Sequence, residues 1–299
     1  MYEDDPQDTV FDVLGEAVFG AHPLGRPIIG RAPVIRDTPV DVIADFHARR
    51  YVPRSVVIAA AGSVDHDAIV ELAAKTLGDR RALEPVAAPE PAPARPGTNV
   101  RFVRKDTEQV HVTLGGLGLQ RGDDRRFAAR VLDAIFGGLS SSRLFQSVRE
   151  QRGLAYSVYS FAGQYADTGQ IGLYVGTRPD KVGEAMAVVA DELGTLRERG
   201  VTAEELNRAR ENVKARVVLA LESTGSRMNR LGASLLFGLP LLETDEVMER
   251  FDAVTLDELR ELTDELWAPE RLSAAGIGPD EQAFRDAVSD VCPGAGVTA

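Results

Sequence analysis

Arg149 and Tyr156 are the two residues of this 299-residue chain whose types and spacing best suit chemistry on a carbonyl. They flank a turn inside Gly137–Phe161, which reads GGLSSSRLFQSVREQRGLAYSVYSF. Gly137-Gly138 and Ser140-Ser141-Ser142 predict a flexible turn and a helix N-cap, and Leu144, Phe145 and Val148 predict the inner face of a helix over 140–151. Arg149 falls in the last turn of that helix, Gly153 stops it, and Leu154–Tyr159 enters a strand. A guanidinium and a phenol converging across such a turn would hold a carbonyl or an oxyanion by hydrogen bonds. From spacing alone a simpler account takes precedence: an arginine favoured at a helix C-terminus by the dipole, and a tyrosine packed in a strand. Arg152 has no place in the pair, and its replacement by lysine is expected to be mild.

Other chemistry is missing at the level of motifs. H-x-x-E-H, H-E-x-x-H, G-x-S-x-G and G-x-x-x-x-G-K-[ST] do not occur. His22, His47, His66 and His111 have no ligand-like spacing and read as ordinary polar or packing residues. Cys292 is the only cysteine, so neither an internal disulfide nor a cysteine-built metal site is expected. Lys+Arg 34 against Asp+Glu 46 gives a net charge of −12, which argues against nucleic acid or an anionic membrane surface as a partner. No apolar run approaches the ~18–20 residues of a membrane helix. The opening Met1-Tyr-Glu-Asp-Asp-Pro6 is acidic, unlike a signal peptide, so the cytoplasm is the expected compartment.

The elements that must position Arg149 and Tyr156 follow from periodicity. Strands are predicted near 99–104, 108–115, 155–162, 170–176 and 272–277. Helices are predicted near 123–136, 179–199, 203–222, 225–237, 243–252 and from 280, with capping boxes at Thr202-x-x-Glu205 and Thr255-x-x-Glu258. Before them, Asp5-Pro6 opens a helix that Gly20 ends, Ala21–Asp37 has too much proline and glycine for regular structure, and Thr38-Pro39 opens a second helix. Ser55–Ala61 (SVVIAAA) reads as a strand covered on both faces, and Asp65–Leu77 as a helix closed by Gly78. The expected organisation is a partial unit at 1–82, a Pro/Ala linker at 83–97, a complete α+β unit at 98–290 and a tail at 291–299.

The two units end alike. An offset of 216 positions carries Asp41 onto Asp257, Phe46 onto Leu262, Tyr51 onto Trp267, Pro53 onto Pro269 and Gly62 onto Gly278. Proline and glycine matched on both sides of one strand point to duplication. The second copy opens near residue 99, so a complete first copy would open upstream of Met1; its first strands and helices are expected to be missing because the chain is a fragment, the gene start is misplaced, or a partner supplies them.

The segment SSSRLFQSVREQRGLAYSVYSF resembles the signature of the C-terminal domain of pitrilysin/insulinase-family zinc peptidases. The opening MYEDDPQDTVFDVLGEAVFGAHPLGRPIIG resembles the helix and loop after the last zinc ligand in the bacterial, mitochondrial-processing-peptidase-like branch. VHVTLGGLGLQRGDDRRFAARVLDAIFGG fits the first strand and helix of the C-terminal domain. The resemblance implies an α+β fold of two homologous processing-peptidase-like metallohydrolase domains, the first truncated at its N-terminus. It implies zinc in the complete enzyme but none on this chain, because the H-x-x-E-H and the later ligand glutamate would lie upstream of Met1. Glu3 is out of register for that ligand.

The resemblance also carries the family's arginine–tyrosine pair onto Arg149 and Tyr156, with the role of binding substrate backbone and steadying the transition state. The implied function is that of a zinc metalloendopeptidase whose substrate-binding C-terminal half is this chain. The implied partners are a peptide substrate and a second family chain, or a second copy of this one, completing the clamshell. The alternative is a non-catalytic scaffold subunit beside an active chain. On either reading the chain alone is expected to hold no stoichiometric zinc and to hydrolyse no peptide. Metal analysis of the purified chain checks this, and one zinc per chain would overturn it.

Overall fold

The computed structural model describes Tyr2, residues 4–77, 91–92 and 98–293. Most of the linker at 83–97, the helix stop at Gly78, Glu3 and the tail from 294 lie outside the described residues. Packing divides the chain into two units, one of Met1–Ile28, Pro91–Val213 and Glu249–Ala299, the other of Ile29–Glu90 and Lys214–Met248. This grouping by contact differs from the sequence segments 1–82 and 98–290, because the first helix packs with the larger unit.

The larger unit is built on a five-stranded sheet in the order β1-β5-β2-β4-β3. The strands are β1 (Val100–Arg104), β2 (Val110–Gly118), β3 (Ala155–Gln164), β4 (Gly169–Thr177) and β5 (Ser273–Gly278). Only β1 and β5 run parallel; the other pairs are antiparallel. The helices around it are α1 (Pro6–Phe19), α5 (Arg126–Phe136), α6 (Val182–Arg199), the start of α7 (Ala203–Ala220), α10 (Leu256–Leu266) and α11 (Glu281–Val288). Each predicted strand between 99 and 277 is present, within a few residues of its expected ends.

The strands alternate between two covered faces. Along β5, Ala275 and Ile277 pack in the clusters that hold α1, through Leu14 and Val10. A Cβ at the intervening Gly276 would meet the Phe284 ring of α11 at 2.6 Å. Both faces of β5 are therefore occupied, and all six of its residues are buried. Helix α1 starts with Asp5 accepting from Gln7 N–H at 2.9 Å, behind Pro6 at the first position. Its end is fixed to the sheet by Asn99 Nδ2 donating to the Ala17 carbonyl at 2.9 Å. Gly115 of β2 lets α1 come this close: a Cβ there would lie 3.0 Å from Leu14 Cδ2.

The smaller unit contains α2 (Ala32–Asp37), α3 (Val40–Arg50), α4 (His66–Leu77), the end of α7, α8 (Thr224–Leu236) and the start of α9 (Thr244–Asp252). Three expectations are corrected in the described structure. The segment 21–37 is not wholly irregular: a 3-10 turn at Pro23–Gly25 and α2 form, each with proline in its first turn, where the missing N–H costs nothing. The segment 55–61 is not a strand, because no described neighbour pairs with it; Ser55 ends a 3-10 turn and 56–61 runs free of regular structure, with Val56 40% and Ile58 51% exposed. The helix expected over 140–151 is shorter, at 143–150, and from Phe145 to Glu150 it is a π-helix.

Elements nevertheless recur at the sequence offset. Helix α3 at 40–50 and α10 at 256–266 are 216 apart at both ends, as are the 3-10 turns Pro53–Ser55 and Pro269–Arg271. Leu14 is fully buried between α1 and the sheet. Leu14→Ala is expected to cost about 2–5 kcal/mol, read as a lower urea midpoint with an unchanged slope.

Candidate functional site

Arg149 sits on the π-helix and Tyr156 on the first residues of β3, and the fold brings them together. The Arg149 guanidinium carbon lies over the Tyr156 ring at 5.0 Å and over the Phe145 ring at 4.8 Å. Two aromatic faces hold the cation by its π-attraction. Its ion pair with Glu150 is loose, at 3.9 Å.

Local chemistry explains how each residue is aimed. Strand β3 pairs with β4 through Ala155↔Thr177 and then Ser157↔Gly176, so Tyr156 is the extra residue of a bulge. A bulge re-aims its side chain, and Tyr156 is 78% exposed on a strand whose neighbours Ala155 and Val158 are buried. On the other side of the turn, Gln151 N–H donates to the Gln146 carbonyl at 2.9 Å, five residues back. Widening the helix there leaves Leu144 and Val148 fully buried, while Phe145, expected on the inner face, turns out half-buried beneath Arg149. Gly153, with φ 60°, ends the helix and is a position that requires glycine.

The pair stands at an open cavity of about 440 Å³, also lined by Gln109, Leu154, Gly176 and Arg178. Gln109 and Arg178 carry no local sequence signal, because pairing of β2 with β4 is what delivers them. Arg178 is committed to Asp180 at 2.6 Å. A Cβ at Gly176 would meet Tyr174 Oη at 2.7 Å and Gln109 Oε1 at 3.1 Å, so glycine admits both polar groups. Behind it Tyr174 Oη is 2.7 Å from His111 Nδ1. Burial pushes His111 below the usual histidine range and Tyr174 above the usual tyrosine range.

The helix start is tied down more firmly than the sequence suggests. Arg143 Nε and Nη2 donate to the two Glu205 carboxylate oxygens at 2.7 and 2.8 Å, and Nη2 also donates to the Gly200 carbonyl at 2.8 Å. Burial alone would raise the Glu205 carboxyl, but its hydrogen bonds from Arg143 and Thr202 outweigh this and hold it at about 2. Ser147 donates to Glu192 of α6. Arg152 is no bystander, because its Nη1 donates to the Ser147 carbonyl at 2.8 Å and so supplies a partner within the π-helix.

The four histidines stay apart in role. His22 accepts from Leu24 N–H, His47 stacks on Tyr51, His66 opens α4 and His111 is buried in β2. Among the described residues, no three His, Cys, Asp or Glu side chains come together as a metal site. The donor set that zinc requires is therefore not offered by these residues.

An α+β sheet module with an arginine–tyrosine contact beside an open cavity is the class that fold and site define. The chain belongs to the M16 peptidase family: residues 39–213 match the family model described as the peptidase M16 inactive domain. It is 40% identical to an uncharacterized zinc protease of Streptomyces coelicolor, over 97% of this chain and 65% of that protein. It is likewise 40% identical to an uncharacterized zinc protease of Mycobacterium tuberculosis, over 93% of this chain and 64% of that protein. The chain thus spans just under two thirds of these curated relatives. A crystal structure of a peptidase M16 inactive domain from Pseudomonas fluorescens has the same fold, with a TM-score of 0.83 at 24% identity over 93% of this chain and 66% of that one. No described helix is long and apolar enough to cross a membrane.

Tyr156 is exposed and should tolerate loss of its hydroxyl without loss of stability. Tyr156→Phe is expected to change unfolding free energy by under about 0.5 kcal/mol. Arg152→Ala, which strips the Ser147 carbonyl of its donor, should cost about 0.5–1.5 kcal/mol. Parallel urea titrations of the two variants check the contrast.

Proposed function

We propose that this chain is the substrate-binding half of a zinc metalloendopeptidase, in which Arg149 and Tyr156 hold the peptide backbone opposite the metal. The observation that carries the reading is the Arg149–Tyr156 convergence at the cavity mouth. Stacking on rings occupies the face of the guanidinium and leaves its edge N–H groups for in-plane hydrogen bonds. The Tyr156 hydroxyl is a second donor, aimed outward by the bulge. Two donors fixed on a strand and a tethered helix suit a carbonyl oxygen that gains charge, so they lower the barrier more than they tighten ground-state binding.

Zinc belongs, on this reading, to residues outside those described, and no step is assigned to it through this chain. The metal would supply an activated water and polarise the scissile carbonyl. This chain would bind the peptide, keep its backbone from rotating away and donate to the reacting oxygen. The names of the relatives as zinc proteases and the family match support the peptidase assignment.

A second reading, a non-catalytic scaffold subunit beside an active chain, is favoured by the description of the matching family model as an inactive domain. On both readings the chamber is completed by residues beyond this sequence, of the same protein or of a further chain. A surface suited to them is the segment 56–61 with α8, where Val57, Ala59, Met228 and Leu236 line an open cavity of about 470 Å³. The recurrence of α3 and α10 at one offset supports reading the sequence segments 1–82 and 98–290 as copies of one domain, the first partial.

The test uses the peptidase with its zinc-bearing half present. Tyr156→Phe should lower kcat/KM roughly 10–10³-fold. Arg149→Lys should be nearly as harmful, because the planar fork is lost while the charge remains. Arg101→Lys, on exposed β1, serves as the control and should be mild. Equal small effects at all three positions would return Arg149 and Tyr156 to packing roles, and the scaffold reading would then stand.

A further inference from the structure

The helix that presents Arg149 runs only over 143–150, its last six residues as a π-helix. So short a helix cannot hold its own direction, since helix nucleation is unfavourable until several turns share its cost. Its orientation must come from what it is tied to. Arg143, the first residue of that helix, reaches the start of α7, where its side chain is 13% exposed and that of Glu205 is 17% exposed. The contact is bidentate, fork to carboxylate, at 2.7 and 2.8 Å. This geometry restricts both partners in angle as well as distance.

Glu205 is also the capping residue of α7. Its Oε2 accepts from Thr202 N–H and Thr202 Oγ at 2.9 Å each, while Glu205 N–H donates to Thr202 Oγ at 3.2 Å. One carboxylate therefore joins a helix cap, which is fixed by its own reciprocal hydrogen bonds, to the root of the helix that carries Arg149. The Gly200 carbonyl, accepting from Arg143 at 2.8 Å, adds a third anchor on the same loop.

We infer that Arg143 and Glu205 are positioning residues that set where the Arg149 guanidinium meets the Tyr156 ring. The inference deepens the assignment of Arg149 and Tyr156 as the peptide-holding pair and rests on it for its functional meaning. The competing account is that the Arg143–Glu205 pair only stabilises α7. The two separate chemically, because glutamine is as good a capping-box residue as glutamate. Glu205→Gln keeps the bonds to Thr202 and loses the charge-assisted fork to Arg143. Arg143→Lys keeps the charge and loses the fork from the other side.

The experiment reads the geometry in the chain itself, by ring ¹H–¹³C resonances of Tyr156 under its stacked guanidinium. Arg149→Lys sets the displacement produced by losing the stack. Glu205→Gln and Arg143→Lys are each expected to move the Tyr156 signals in the same direction, while the indole N–H of the only tryptophan, Trp267, stays in place as a sign of intact folding. Amide protection in the first turn of α7 should persist in Glu205→Gln. If Tyr156 is unmoved in a folded Glu205→Gln or Arg143→Lys chain, the pair is a stability contact only and the inference fails. Should one variant not fold, the other decides.

In the zinc-bearing enzyme, Glu205→Gln is expected to lower kcat/KM by roughly 3–30-fold, and to add little once Arg149→Lys is present, as coupled residues do. Full additivity of the two would overturn the inference. If instead Arg149→Lys leaves hydrolysis untouched while Glu205→Gln shifts Tyr156, the positioning stands and the peptide-holding role falls.

Discussion

The structure depends on a sheet that has to be covered on both sides. Strands β2 and β5 are buried at nearly every successive position, so each residue turned either way must find a partner out of water. Helices α5, α6, α10 and α11 supply one layer and α1 supplies the other. The register of α1 is set by what it meets: glycine at 115 for close approach, and Asn99 and Ser273, which both donate to its Ala17 carbonyl. Everything at the cavity is placed relative to this sandwich, because the Gly176 and Tyr156 positions are read off the pairing of β3 with β4.

Two irregularities in that frame create the site. A regular strand would put Tyr156 on the face of Val158 and Ser160, which are buried, and a regular helix would keep Phe145 inward. The bulge and the π-helix each break the period by one residue, and the two breaks meet across Gly153. Irregularities of this kind cost stability and persist where the surroundings over-determine them. Here the surroundings are specific: the Arg143–Glu205 fork, the Ser147–Glu192 bond and Arg152 on the Ser147 carbonyl. At the end of α5, Gly137 lets the chain pass within reach of Ser160, whose hydroxyl donates to Asp133 at 2.5 Å.

The two ends of the repeated pattern show what a sheet contributes. Ile58 and Ala274 stand at the same place in the recurring order of helix, 3-10 turn and extended segment. Ala274 is fully buried between β1 and β2, whereas Ile58 is 51% exposed and without a described strand on either side. Residue type is similar and environment opposite. An extended apolar segment acquires a ladder and a dry face only when other strands are present to supply them.

Local signals were enough for much of the fold. Apolar periodicity placed α1, α3, α10 and the five strands, Thr255 and Glu258 announced a capping box that forms as read, and Pro53 and Pro269 marked the recurring break. These features depend on residues within one turn of each other, so the chain alone determines them. The resemblance of residues 140–161 to a peptidase signature was also legible, and with it the Arg149 and Tyr156 pair. What required the tertiary structure was everything that depends on a partner far along the chain. The bulge at Tyr156 exists only against Gly176, the role of Arg143 only against Glu205, and the entry of Gln109 into the cavity only through β2–β4 pairing. The segment 55–61 has the composition of a buried strand, yet strand formation is decided by neighbouring backbone, which no residue carries in its own side chain.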